Sequence, residues 1–190
     1  MNSKAYSVRK LQEVSEVPGI YAWYLLYNQK IDLQAYHSVY KQRQLFSFLK
    51  GNLQDNYQGT LSAQPYLFDK PVQDLNLLAG AIDVFSPPIY IGVSNNLKRR
   101  LLTHITMLNH ILYADHVEDI VDIIESDIDS DKESKHFAQR ISSVIKGING
   151  IGLNSFRVKV IELAPGYSST MLVEVENFLN RTFIPYYGRR

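Results

Sequence analysis

The stretch PPIYIGVSNNLKRRLLTH, residues 87–104, decides how the rest of the chain is read. Two prolines deliver the chain into the short apolar run Ile89–Val93, and proline is tolerated at the entry of a strand but not in its middle. From Asn96 the period changes. Leu97, Leu101, Ile105, Leu108 and Leu112 fall on one helical stripe, with Ser94 or Asn95 placed to cap it. The segment is therefore a strand, a tight turn and a helix. Strand alternation puts Tyr90 opposite Ile89 and Ile91 and on the same face as Gly92, which predicts an unfilled space beside the phenol. On the helix, Arg100 and His104 are four apart, on one line at the margin of the apolar stripe, and Arg99 points outward. A phenol, a small gap, a guanidinium and an imidazole suit an oxyanion, and a phosphate is the oxyanion that most often takes arginine.

Working outward, Gly19 to Tyr27 is aromatic and apolar, follows Pro18, and reads as a buried strand with Trp23 in the core. Phe156 to Leu163 alternates and makes a third strand. Thr170 to Phe183 reads as a helix with Met171, Val175, Phe178, Leu179 and Thr182 inward, ended by Pro185. If the first two strands pair antiparallel, Tyr21 and Tyr90 stand side by side. The fold expected is α/β, a small three-stranded antiparallel sheet flanked by helices.

Two intervals enlarge this core, at about 28–86 and 110–150. In the first, Tyr36 to Leu49 reads as a helix and Asn52 to Gln64 as loop. In the second, Val117, Ile120, Val121 and Ile124 form an amphipathic helix with an acidic outer face, and Phe137, Ile141, Val144 and Ile145 form another, stopped by Gly147. Neither is flanked by a Pro, Gly and Ser linker, so residues 1–190 are expected to form one domain with two insertions.

Composition narrows the function. A chain of 190 residues with 45% hydrophobic content is long enough for one well-buried core. It has no cysteine, which excludes disulfides and thiolate metal sites. No apolar run approaches a membrane span and no leader is visible, so a cytoplasmic, non-membrane protein is expected. The formal charge is only +1, yet nine acids lie between Asp115 and Glu133 against a single Lys132. The remainder is distinctly basic, as a neutral protein with one anion-facing surface would be. Asp127, Asp129 and Asp131 have the alternation of a calcium loop, but Lys132 stands at its glycine position, and a solvated acidic loop is the expectation.

Taken together, these residues resemble the GIY-YIG nucleases. The two name motifs occur as Gly19-Ile20-Tyr21 and Tyr90-Ile91-Gly92. The family's arginine, ten residues after the second tyrosine, and its histidine four further on fall on Arg100 and His104. Its distal glutamate with a proline nine residues later falls on Glu176 and Pro185. The position of the family's asparagine is Gly188, and Val93 stands where the family often has lysine. The long connection between the two name motifs is similar to the restriction-enzyme branch.

The resemblance implies a divalent-metal-dependent DNA endonuclease of restriction or phage-defence type. Glu176 would hold Mg2+ or Mn2+, Tyr21 or Tyr90 would orient or deprotonate water, and Arg100 would neutralise charge at phosphorus. His104 would position or share a proton. Lys98, Arg99, Lys135, Arg181, Arg189 and Arg190 are candidates for contact with the DNA backbone. Two copies on duplex DNA, a homodimer, would account for double-strand cleavage, with the insertion 28–86 as the expected source of the dimer contact. Two other classes stay open: a DNA-binding module of this fold that has lost cleavage, and a protein-interaction domain that uses its acidic helix.

Overall fold

The computed structural model describes residues 3–27, 31, 36, 75–113, 132–148, 150–183 and 185. Outside them lie the loop expected at 52–64, the acidic helix expected at 117–124, Gly188, Arg189 and Arg190. The helix expected at 36–49 lies outside them too, apart from Tyr36.

The chain begins with strand β1 (Ser3–Ser7) and a 3₁₀ turn at Val8–Glu13, and then enters β2 (Gly19–Leu25). Helix α1 (Leu75–Phe85) precedes β3 (Tyr90–Ser94) and α2 (Leu97–Tyr113). Helix α3 (Lys132–Gly147), a 3₁₀ turn at Leu153–Ser155, β4 (Phe156–Glu162) and α4 (Ser169–Phe183) complete the order. The strands form one antiparallel sheet in the order β1-β4-β2-β3, which leaves β3 at an edge. The architecture is thus α/β, a four-stranded antiparallel sheet flanked by helices. No described helix is long and apolar enough to cross a membrane.

Three strands were expected and four are found. The added strand, SKAYS, is almost wholly exposed and has no apolar alternation, so no hydrophobic period announces it. What holds it is the ladder from Ser3–Ile161 to Ser7–Arg157, together with Lys4, whose ammonium donates to Glu162 at 2.6 Å. Helix α1, inside the first insertion, was also not expected. Both carboxylate oxygens of its Asp83 accept from Nη1 of Arg157 on β4, at 2.7 and 2.8 Å.

Strand β2 alternates as its sequence requires, with Tyr21, Trp23 and Leu25 buried on one face. Opposite them on β4 stand Val160, Val158 and Phe156, also buried. This face is covered by Leu97, Leu101 and Leu108 of α2 and Phe137, Ala138 and Ile141 of α3, which join it in one core. The other face presents Ile91 and Val93, and here α4 lays Leu172. Gly19 marks the tightest passage. A Cβ there would run into the Ile161 carbonyl and come within 2.5 Å of Leu97 Cδ1, so only glycine lets β4 and the start of α2 approach.

Two helix faces differ from the reading of their periods. On α2 the expected stripe holds for Leu97, Leu101 and Leu108, but His104 is as buried as they are, while Ile105 and Leu112 are only partly buried. The inward line is Leu97, Leu101, His104 and Leu108, spaced four, three and four, so His104 lies at its centre rather than its margin. On α4 the buried residues are Leu172, Glu176 and Asn180. Met171, Val175 and Phe178, expected inward, are exposed. The sheet takes the edge of α4 that carries Glu176, and the more apolar line is left outside.

The Lys4–Glu162 pair carries a pH dependence. Hydrogen bonds from Lys4 and then Ser15 hold the Glu162 carboxyl below the ordinary glutamate range, and the same partner raises the Lys4 ammonium. A depressed carboxylate contributes stability above its unfolded pKa and loses it as pH falls through the folded value. The raised ammonium contributes below its unfolded pKa and loses it as pH rises through the folded value. The tether is therefore complete between the two ranges and weakens beyond either. Glu162→Gln should loosen β1 at neutral pH and flatten the acid limb, read from amide exchange of residues 3–7 after correction for intrinsic rates.

Candidate functional site

The turn after β3 is built by two side chains. The Ser94 hydroxyl donates to the Asn96 carbonyl at 2.8 Å and accepts from the Asn96 amide at 3.0 Å. Asn96 Oδ1 then accepts from the Arg99 amide at 2.9 Å, so the N-cap of α2 is Asn96, not Ser94 or Asn95. Its neighbour Asn95 donates through Nδ2 to the Ser169 hydroxyl at 3.0 Å, tying the turn to the start of α4.

Beside this tie is a cavity of ≈ 180 Å³, lined by Val93, Ser94 and Asn95, by Arg100 of α2, and by Ser169, Leu172, Val173 and Glu176 of α4. Arg100 and Glu176 thus face one space from different helices. The Arg100 backbone amide makes an early helical bond, to the Asn96 carbonyl at 3.1 Å, and its Nη1 donates to the Ser134 hydroxyl of α3 at 3.2 Å. Glu176 is only 3% exposed. A carboxylate this buried needs positive charge or donors close by, and Arg100 brings one such charge to the cavity. Asn180, one turn further along α4, donates to the Glu176 carbonyl oxygen at 3.0 Å. Glu174, two residues before Glu176, is exposed, so the register of α4 selects Glu176 for the cavity.

The phenols and the imidazole form a second group. Tyr21 and Tyr90 stack with centroids 6.1 Å apart and planes at 29°. His104 stacks on Phe137 at 4.1 Å and 15°, and meets the edges of Tyr21 at 5.5 Å and Tyr90 at 6.0 Å. Trp23 adjoins the same ring, at 6.3 Å from His104 and 4.8 Å from Phe137. Tyr21 is directly opposite Gly92 in the ladder, and Trp23 is opposite Tyr90. The space expected beside Tyr90 is consequently filled. A Cβ on residue 92 would lie 2.5 Å from Tyr21 Oη and 2.6 Å from its Cζ, so the Tyr21 phenol occupies the room that glycine leaves.

The five expected site residues are brought together as two neighbouring groups. Arg100 and Glu176 line the cavity, whereas Tyr21, Tyr90 and His104, at 1%, 4% and 0% exposed, do not belong to its lining. Of the expected DNA contacts, Arg99 and Arg181 are exposed, and Lys98 pairs with Glu16 at 3.3 Å. Sequence reasoning did not anticipate Ser134, Asn95 or Ser169. An asparagine three residues before the end of the first helical turn could have marked Asn96 as the cap, but nothing local links Ser134 to an arginine 34 positions earlier.

Glu176 is the carboxylate of the cavity lining, and Mg2+ is held by one or two carboxylates with water and phosphate oxygen supplying the rest. Among the described residues no group of three or more His, Cys, Asp or Glu side chains forms a metal cluster. A cation here would therefore rest on Glu176 with substrate and water. Compared with protein-family models, with curated proteins and with solved structures, the chain has no match in any of the three.

The contact at Gly92 is directly testable. Gly92→Ala should force the Tyr21 ring from its place and cost about 1–3 kcal/mol, the usual range for overpacking a filled core. Urea denaturation measures the loss. Near-ultraviolet circular dichroism should report the disturbed tyrosines, and an unchanged spectrum with unchanged stability would contradict the packing described.

Proposed function

We propose that the protein is a divalent-metal-dependent DNA endonuclease of GIY-YIG type, hydrolysing phosphodiester bonds. The observation that carries this reading is the meeting of Arg100 and Glu176 in one cavity although they lie on different helices. The ordered motifs around Gly19-Ile20-Tyr21 and Tyr90-Ile91-Gly92 support it, and so does the glycine at each, where an added Cβ would clash.

In this reading Glu176 holds Mg2+ or Mn2+, which when bound supplies charge stabilisation at a phosphate oxygen. Arg100 presents a planar fork to the phosphate and stabilises the charge that grows as water adds to phosphorus. Its bond to Ser134 fixes the guanidinium against α3, so the donor is oriented before substrate arrives. Tyr21 or Tyr90 orients the attacking water and, in its phenolate form, takes its proton as the P–O bond to the leaving oxygen breaks, the leaving oxygen taking a proton from solvent. His104, packed against both rings, holds them and shares the proton. Arg99 and Arg181, exposed at the outside of α2 and α4, contact the DNA backbone along with Lys98, Arg189 and Arg190. A restriction or phage-defence role matches the enlarged connection between β2 and β3.

One observation favours a second reading, a DNA-binding module of this fold without cleavage. Both tyrosines are buried, and the cavity is lined without them. Magnesium-dependent nicking of supercoiled plasmid separates the two. Cleavage is expected with the wild type. It should be abolished by Glu176→Gln and should fall by roughly 10²-fold or more with Arg100→Lys, which keeps the charge but loses the fork. Both variants should retain DNA binding in a mobility-shift assay, with their folding checked by thermal melts because Glu176 is buried. Salt-dependent binding without any cleavage would establish the second reading instead.

A further inference from the structure

Among the described residues, helix α4 has one line of side chains left exposed. Met171, Val175 and Phe178 are 49%, 39% and 67% exposed, and Thr182 continues the line, also exposed. The spacing of four, three and four is that of alternating heptad seam positions, which keep one stripe facing a partner helix over successive turns. Scattered exposed apolar residues are ordinary on a protein surface, but a continuous helical stripe is not. The cavity-facing line, with Leu172 and Glu176, occupies a different side of the same helix.

We propose that this stripe is a self-association surface, on which α4 packs antiparallel against α4 of a second copy. The sequence of the stripe is complementary to itself in that direction. With a two-fold axis across the middle of the helix, Val175 of each copy meets Phe178 of the other, and Met171 meets Thr182. The two kinds of seam position therefore alternate across the axis, as antiparallel helices require. The flank agrees. Glu174 and Arg181 are seven residues apart, on one line beside the stripe, and both are exposed. In the antiparallel pair Glu174 of one copy lies beside Arg181 of the other, and the symmetry makes this contact twice. A parallel pair would set Glu174 beside Leu179 of the other copy and give it no opposite charge. The charges thus select both the occupant, a second copy, and its direction. This surface does not depend on the nuclease reading, and it places the contact between copies on α4, outside the insertion 28–86.

The helix has 15 residues, so the seam is short and the association is expected to be weak, with Kd on the order of micromolar, as for interfaces below standard size. Sedimentation velocity without DNA, from about 1 to about 200 µM chain, brackets that range. The mass should rise from 21.8 kDa toward twice that value. Phe178→Asp, at a residue two-thirds exposed, should remain folded by circular dichroism and stay monomeric throughout.

The charge pair gives a sharper test. Glu174→Arg or Arg181→Glu alone should weaken association roughly tenfold or less, because each makes like-charge contacts, and the double exchange should restore it. A wild type that stays monomeric over the range would overturn the proposal, and so would a Phe178→Asp variant that dimerises as well as wild type. Single exchanges that weaken association without recovery in the double variant would overturn the antiparallel arrangement.

Discussion

The site depends on the Tyr21 phenol lying over Gly92 of an edge strand. Because residue 92 has no side chain, Tyr21 can cross from β2 into the space beside Tyr90, and the two rings then offer edges to His104. His104 in turn stacks on Phe137, which brings α3 against α2. With α3 in place, Ser134 meets the Arg100 guanidinium. A backbone contact in the sheet is thereby transmitted through four rings to the orientation of a charged group at the cavity. Aromatic pairs at these separations contribute about 0.5–1.5 kcal/mol each beyond area burial, so the cluster is an energetic anchor as well as a spacer.

Glycine serves close approach twice in one antiparallel pair, at its first rung and at its middle rung. Gly19 lets the Ile161 carbonyl and Leu97 come together, and Gly92 admits the phenol. Both are consequences of removing a methyl group where backbone and side chain would otherwise overlap, not of unusual backbone angles. At Gly92 the neighbour is the Tyr21 ring, whereas at Gly19 it is the Ile161 carbonyl and Leu97. The strand must be thin where the ring lies.

Helix α4 is divided between two tasks. Its polar pair, Glu176 and Asn180, is buried, while Met171, Val175 and Phe178 are exposed. Placing apolar residues inward would bury more apolar surface, so the observed orientation gives up hydrophobic stabilisation in order to hold a carboxylate at the cavity. That inversion marks α4 as the element whose orientation serves the cavity more than the core. The neighbouring Asn95–Ser169 bond fixes the start of the helix and with it the side that faces the sheet.

Much of the fold was legible in the residues. Apolar runs identified β2 and β3 and alternation identified β4; period identified α2, α3 and α4, and the order and spacing of Tyr21, Tyr90, Arg100 and Glu176 selected groups that the structure places in adjoining clusters. What sequence alone determined was the local periodicity, because backbone geometry makes that visible within a few residues. Only tertiary structure decided which side of each helix faced inward: His104 at the centre of its buried line, Glu176 inside and Phe178 outside. Strand β1 was invisible because an exposed edge strand is held by ladder bonds and one ion pair, not by an apolar pattern. The partition of the site into a cavity and an aromatic cluster was equally hidden, since it depends on contacts between residues far apart in the chain, such as Arg100 with Ser134. Periodicity states that a face exists, and the shape of the neighbouring element determines what that face meets.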